Sequence, residues 1–173
     1  MHDFGQSLLI LGGARSGKSR HGQRLAEAIG GTLVYIATAQ AFDAEMEDRI
    51  ARHRADRDAR WQTIEAPIDL GAAIAEVDAP RTVVLVDCLT LWTSNLLLAD
   101  QDIPAATQAL CEQISRVQGR LILIANETGL GIVPDNVLAR RFRDAAGLLN
   151  QGVAQAVGAV DFVVAGIARR WKE

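Results

Sequence analysis

Eight consecutive residues carry the clearest chemistry in this chain. Gly12-Gly13-Ala14-Arg15-Ser16-Gly17-Lys18-Ser19 has the form G-x-x-x-x-G-K-[ST], with an apolar run before it and a helical pattern after it. Glycines let such a loop curl until several backbone N–H groups point inward at phosphate oxygens. The following helix adds the positive end of its dipole. Lys18 is expected to reach the β- and γ-phosphates of a purine nucleoside triphosphate, and the Ser19 hydroxyl to ligate Mg²⁺. Asp87, at the end of an apolar run, is the matching acidic residue for Mg²⁺; it could instead simply cap the segment that follows.

A second constellation lies in the charged stretch from Asp43 to Arg60, read as a helix. Pairs such as Glu45–Arg49 and Asp48–Arg52 fit a solvated helix face. Arg49, His53, Arg57 and Arg60 fall at spacings of four, four and three, which puts them on one face. Arginines one turn away on either side disfavour protonation of His53. A neutral imidazole among cations suits nucleophilic attack on phosphorus, with the arginines neutralising the phosphates. The alternative is a surface histidine. A third candidate follows Ala125. Asn126, Glu127 and the glycines after them could contact substrate or close over it, or Gly129 and Gly131 could serve a turn that needs positive φ.

These residues need a scaffold. Ser7 to Leu11, Thr32 to Ala37, Trp61 to Glu65, Thr82 to Val86, Leu121 to Ala125 and Phe162 to Ala165 read as strands, mostly apolar on both faces. Helices are expected from Lys18 to Ile29, ended by Gly30 and Gly31, and from Ile68 to Val77. Another runs from Pro104 to Gly119 with Ala106, Leu110, Ile114 and Val117 on its apolar face. A long helix opens at Pro134 and Asp135, with Val137, Leu138, Phe142, Leu149 and Val153 turned inward. Strands alternating with helices predict an α/β fold, a mainly parallel sheet covered on both faces, with active residues at the carboxyl ends of the strands.

The 173 residues fit one domain, 1–173, with a single sizeable core. About half are hydrophobic and roughly a quarter charged, as in a globular protein in water. No apolar run approaches membrane-spanning length, and Met1 to Ser7 does not read as a signal peptide. Cys88 and Cys111 lack metal-ligand spacing and read as reduced thiols of a cytoplasmic protein. A net charge of −3 and the lack of an aromatic-basic stretch argue against nucleic acid as a partner. The residues alone leave open a simple small-molecule kinase, which needs no nucleophilic histidine, and a non-catalytic nucleotide-binding module.

Several segments together resemble one family, the bifunctional adenosylcobinamide kinase / adenosylcobinamide-phosphate guanylyltransferases of cobalamin biosynthesis. They are GGARSGKSRH (Gly12–His21), YIATAQ (Tyr35–Gln40), DAEMEDRIARHRADR (Asp43–Arg57), WQTIEAP (Trp61–Pro67), VDCLTLWTSNLL (Val86–Leu97), NETGLGIVP (Asn126–Pro134) and RRFRDAAGLLNQ (Arg140–Gln151). The phosphate loop is shared by many families, whereas NETGLGIVP and RIARHR are far more diagnostic. The resemblance implies a P-loop, RecA-like fold, often assembled as a homotrimer. It also implies phosphorylation of adenosylcobinamide by ATP or GTP, then transfer of GMP from GTP to adenosylcobinamide phosphate through a GMP-histidine. His53 is the histidine of the matching helix and takes that role by resemblance, with His21 as the alternative. Nucleotide contacts carry over to Gly13, Ala14, Arg15, Ser16, Gly17, Lys18, Ser19 and Arg20. They carry over also to Ala37, Thr38, Ala39, Arg54, Ala55, Asp56, Arg57, Glu65 and Asp87. The ending Ile167-Ala168-Arg169-Arg170-Trp171 departs from the family's usual one and is read as neutral for the chemistry.

Overall fold

The structure is a computed structural model and describes residues 4–40 and 58–173. Seven strands form one sheet: β1 (Ser7–Gly12), β2 (Thr32–Ala37), β3 (Trp61–Glu65), β4 (Thr82–Asp87), β5 (Arg120–Asn126), β6 (Ala159–Val164) and β7 (Ile167–Lys172). Their order across the sheet is β3-β2-β4-β5-β1-β6-β7. Strands β1 to β6 run parallel, and β7 returns antiparallel to β6 at the edge. The helices among the described residues are α1 (Lys18–Ile29), α2 (Leu70–Val77), α3 (Leu89–Leu98), α4 (Ile103–Ile114) and α5 (Val137–Ala156).

Strands buried on both faces need cover on both, and successive residues supply it alternately. Leu9, Val34, Val84, Leu121 and Leu123 face a layer containing Leu70, Ile74, Trp92, Leu110 and Leu149. Leu8, Ile10, Leu85, Ile122 and Ile124 face the other way, toward Ala26 of α1. Helix α1 sits very close to the strands. A β-carbon on its Gly22 would stand 3.1–3.3 Å from the methyl groups of Leu85, Ile124 and Ile10. Glycine here permits the close approach.

Four departures from the sequence expectation have physical causes. Helix α3 has no amphipathic signature, because Leu89, Thr90, Trp92, Thr93, Asn95 and Leu96 bury nearly all of its circumference. Helix α5 starts at Val137, not at Pro134, because the Asn136 side chain caps it by accepting from the Ala139 N–H at 2.7 Å. Val137 and Leu138, expected inward, are exposed. The last parallel strand is Ala159–Val164, and the chain then turns back into β7, whose alternation of exposed and half-buried residues is a weak apolar signal. Lys172 at its end donates to the carbonyls of Ala154, Gln155 and Val157, closing the carboxyl end of α5. Finally, the charged helix expected from Asp43 lies outside the described residues up to Arg57. Beyond it Asp58 to Arg60 form a turn, in which the Asp58 carboxylate binds Arg60 at 2.7 Å, so Arg60 does not continue the arginine stripe.

The β6–β7 connection is a two-residue turn with positive φ at both Ala165 (51°) and Gly166 (79°). Such turns favour Asn-Gly, because an L-residue with a plain β-carbon is strained in that region. Ala165→Asn is expected to raise the unfolding free energy by about 0.5–1 kcal/mol, measured as a shift of the urea midpoint at unchanged slope.

Candidate active site

Register places the candidate residues. Ala37 pairs with Glu65 on one side and Asp87 on the other. Asp87 pairs with Ile124, and Gly12 with both Asn126 and Val163. The carboxyl ends of β3, β2, β4, β5, β1 and β6 therefore form one edge, where active residues were expected. β5 separates the phosphate-loop strand β1 from the acidic strand β4.

At this edge the loop leaves β1 at Gly12 and enters α1 at Lys18. Gly17 holds φ at 97° as the N-cap residue and offers no side chain to cap the helix. Arg15 is also left-handed, at 56°. The Ser16 N–H bonds back to the Gly13 carbonyl at 3.3 Å, and the Lys18 ammonium, almost fully buried, donates to the same carbonyl at 3.1 Å. The lysine thus curls over the loop where phosphates would lie. Ala14, Arg15 and Arg20 are exposed, and Ser19 is half-buried.

Asp87 is half-buried, and its peptide bond to Cys88 is cis. Thr38 holds the junction. Its hydroxyl accepts from the Cys88 N–H at 2.8 Å and donates to the Cys88 carbonyl at 2.7 Å, while its own N–H points to the Asp87 carbonyl. The Thr38 carbonyl in turn accepts from the Asn95 side chain at 2.7 Å. Thr38 is fully buried. Its hydroxyl is committed to Cys88, so the Thr38 side chain shapes this edge through the Asp87–Cys88 backbone. Ala37 and Ala39 are half-buried beside it, and Glu65 is exposed at the end of β3. Burial, with the Asp87 charge adding to it, pushes the Cys88 thiol up to about 11, against a weaker opposing pull from Lys18. Cys88 and Cys111 are both free thiols.

Asn126 is fixed from two sides. Its N–H donates to the Thr90 hydroxyl at 2.6 Å, and its carbonyl accepts from Asn150 at 3.2 Å. The next N–H, of Glu127, donates to the Gly12 carbonyl at 3.1 Å. The loop beyond exposes Leu130, Ile132 and Val133. Neither Gly129 nor Gly131 adopts positive φ, so the turn explanation for these glycines fails. His53, Arg54, Ala55, Asp56 and Arg57 lie outside the described residues. His21 is engaged structurally: its Nε2 meets Asp161 of β6 at 2.9 Å, and Arg170 of β7 donates to the other oxygen of that carboxylate at 2.5 Å. Sequence reasoning missed Asp161 and Arg170, because β6 and β7 place them together only in three dimensions.

A curled glycine loop bearing a buried lysine, between a parallel strand and a helix, with an acidic strand end two strands away, defines a P-loop nucleotide-binding protein of the RecA-like α/β class. A solved structure from Pyrococcus horikoshii shares the fold, with a TM-score of 0.55 at 9% identity over 97% of this chain and 86% of that one. Residues 8–171 match the family model for cobinamide kinase / cobinamide phosphate guanyltransferase. The bifunctional adenosylcobalamin biosynthesis protein CobP of Pseudomonas aeruginosa is 53% identical over 162 residues, 92% of this chain and 93% of that protein. The bifunctional adenosylcobalamin biosynthesis protein CobU of Escherichia coli is 40% identical, covering 95% and 99%. The chain belongs to the cobinamide kinase / cobinamide phosphate guanyltransferase family. It is an enzyme of cobalamin biosynthesis with kinase and guanyltransferase activities. Among the described residues no helix is long and apolar enough to cross a membrane.

Two outcomes follow. Burial works against ionisation of Asp161, but hydrogen bonds from His21 and Arg170 outweigh it and hold the carboxyl below its ordinary range. Its stabilisation is therefore complete above the unfolded value of about 3.9 and is lost as pH falls through the folded value. Urea unfolding between pH 6 and 3 (round figures that bracket the carboxylate range) should show this loss, with a flatter acid limb in Asp161→Asn. Thr38→Val should lower stability by about 1–3 kcal/mol, by leaving the Cys88 N–H and C=O unpaired in the interior. Thr38→Ser should recover most of it in the same measurement.

Proposed function

We propose that one phosphate loop serves two cuts of a nucleoside triphosphate, and that His53 carries GMP covalently during the second. The loop geometry supports the reading most directly: Lys18 is buried and curled onto the Gly13 carbonyl at the amino end of α1. Backbone amides, helix dipole and ammonium converge there on the position of a polyphosphate.

For the kinase reaction, the hydroxyl on the aminopropanol arm of adenosylcobinamide attacks the γ-phosphorus of ATP or GTP. An O–P bond forms, the bond to the β,γ-bridging oxygen breaks, and the nucleoside diphosphate leaves while the hydroxyl proton is released. Lys18 and the loop amides stabilise the charge gathering on the leaving oxygens. For the guanylyl transfer, a neutral His53 nitrogen attacks the α-phosphorus of GTP. The bond to the α,β-bridging oxygen breaks and pyrophosphate departs with the electron pair, still held by the loop. A phosphate oxygen of adenosylcobinamide phosphate then attacks the phosphorus. The N–P bond breaks, His53 is regenerated, and adenosylcobinamide-GDP is released.

Mg²⁺ fits the donors available, since a hydroxyl from Ser19 and a carboxylate from Asp87 are hard oxygen ligands. When bound, the ion would neutralise charge on the phosphate oxygens. The described residues offer no cluster of three or more His, Cys, Asp or Glu side chains, so such an ion would depend on nucleotide and water for its other ligands. Arg54 and Arg57 would neutralise phosphates beside His53. Glu65, exposed at the carboxyl edge, would recognise guanine or ribose. A cytoplasmic homo-oligomer, a trimer as in the resembling family, is part of the same proposal.

Labelling tests the covalent step. GTP labelled at the α-phosphate should leave an acid-labile, alkali-stable adduct on the denatured protein, and γ-labelled GTP should leave none. His53→Ala should abolish the adduct while retaining kinase turnover within about threefold, because the γ-transfer needs no nucleophilic histidine. A clean blank with the α-label on the native sequence would refute the intermediate.

A further inference from the structure

The C-terminal strand β7 is an exposed edge that adds little to the core, yet the turn leading into it reaches the phosphate loop. The Gly166 N–H donates to the Ser16 carbonyl at 2.8 Å. The backbones of Gly17 and Gly166 touch, so that a β-carbon on Gly17 would stand 3.2 Å from the Gly166 Cα. At the start of the loop a β-carbon on Gly12 would fall 2.5 Å from the Val163 carbonyl oxygen of β6. The Ser16 hydroxyl is enclosed there without a hydrogen-bond partner among the described residues.

The same hairpin grips the beginning of α1. Asp161 of β6 is buried and bonded to Arg170 of β7 on one oxygen and to His21 on the other. The His21 N–H closes the first helical turn on the Gly17 carbonyl at 2.9 Å. Residues 16 to 21 are therefore held at two points, by backbone at the turn and by side chains one helical turn later. A loop rich in glycine loses much conformational freedom on ordering, and a scaffold that orders it beforehand spares the ligand that cost.

We propose that the β6–β7 hairpin positions the phosphate loop, holding it in its phosphate-accepting curvature before nucleotide arrives, with Arg170 as the positioning residue. Arg170 acts through Asp161 and His21 and touches no substrate. The proposal rests on the reading that Gly12–Ser19 binds nucleotide.

The test compares the full chain with Arg170→Met, Arg170→Lys and Lys18→Ala, and with a glycine inserted after Ala165 that lengthens the turn. Two quantities are read: affinity for the β,γ-imido analogue of GTP by calorimetry, and amide exchange of residues 13–19 without nucleotide. Arg170→Met should keep a cooperative unfolding transition, bind the analogue about tenfold more weakly, and exchange faster in the loop while β4 and β5 stay protected. Arg170→Lys, which retains a donor for Asp161, should recover most of the affinity. The insertion should reproduce the Arg170→Met pattern and decides the matter should that variant fail to fold. Lys18→Ala should lose binding while amide exchange at His21 and in the β6–β7 hairpin stays as in the native sequence. Affinity within twofold and unaltered loop exchange in a folded Arg170→Met or in the insertion variant would overturn the proposal. If the native sequence itself fails to bind the analogue, the nucleotide reading falls, and the exchange data alone then decide whether the hairpin orders the loop.

Discussion

Parallel pairing of β3, β2, β4, β5, β1 and β6 is the constraint on which the rest of the molecule depends. In a parallel sheet every strand ends on the same side, so the loops that follow are gathered along one edge whatever their separation in sequence. The register makes this concrete. Ala37 lies between Glu65 and Asp87, and Gly12 lies between Asn126 and Val163. Six segments scattered from Gly12 to Val163 are thereby brought into one line, and a slip of one residue in any pair would turn its apolar residues to the wrong layer.

The two layers are not equivalent. Four described helices cover one face with large side chains such as Trp92, Leu110 and Leu149, whereas α1 covers the centre of the other at glycine contact distance through Gly22. The helix that carries the phosphate loop is thus held against the strands at glycine contact distance. Its amino end, where the loop joins, is tied to β6 and β7 through His21, Asp161 and Arg170.

Much of this was legible in the residues. The phosphate loop and the five inner strands follow from local signals, since apolar runs bounded by glycine admit few other arrangements. Helix α3 escaped because a helix buried almost all round has no polar stripe to reveal its period. β7 escaped because Arg169, Arg170 and Lys172 interrupt any apolar run, and only the return of the chain alongside β6 makes a strand of them. Thr38 shows the limit at the site itself. Its position beside the nucleotide edge was readable, but its work there, bridging the N–H and carbonyl of Cys88, depends on a contact fifty residues away in sequence. The participation of Arg60 in the arginine stripe assumed helical spacing through Arg60, whereas Asp58 to Arg60 form a turn.

Cys88 has a bearing on the setting in which this site can operate. A thiol one residue from the acidic strand end would be an obvious point of attack for oxidants and electrophiles, which react with thiolate. Burial and the neighbouring carboxylate keep it in the thiol form far above neutral pH. This sulfur is therefore held out of thiolate chemistry near neutral pH. Peroxide and disulfide react slowly with such a buried, protonated thiol, so the packing beside Asp87 also shields this sulfur.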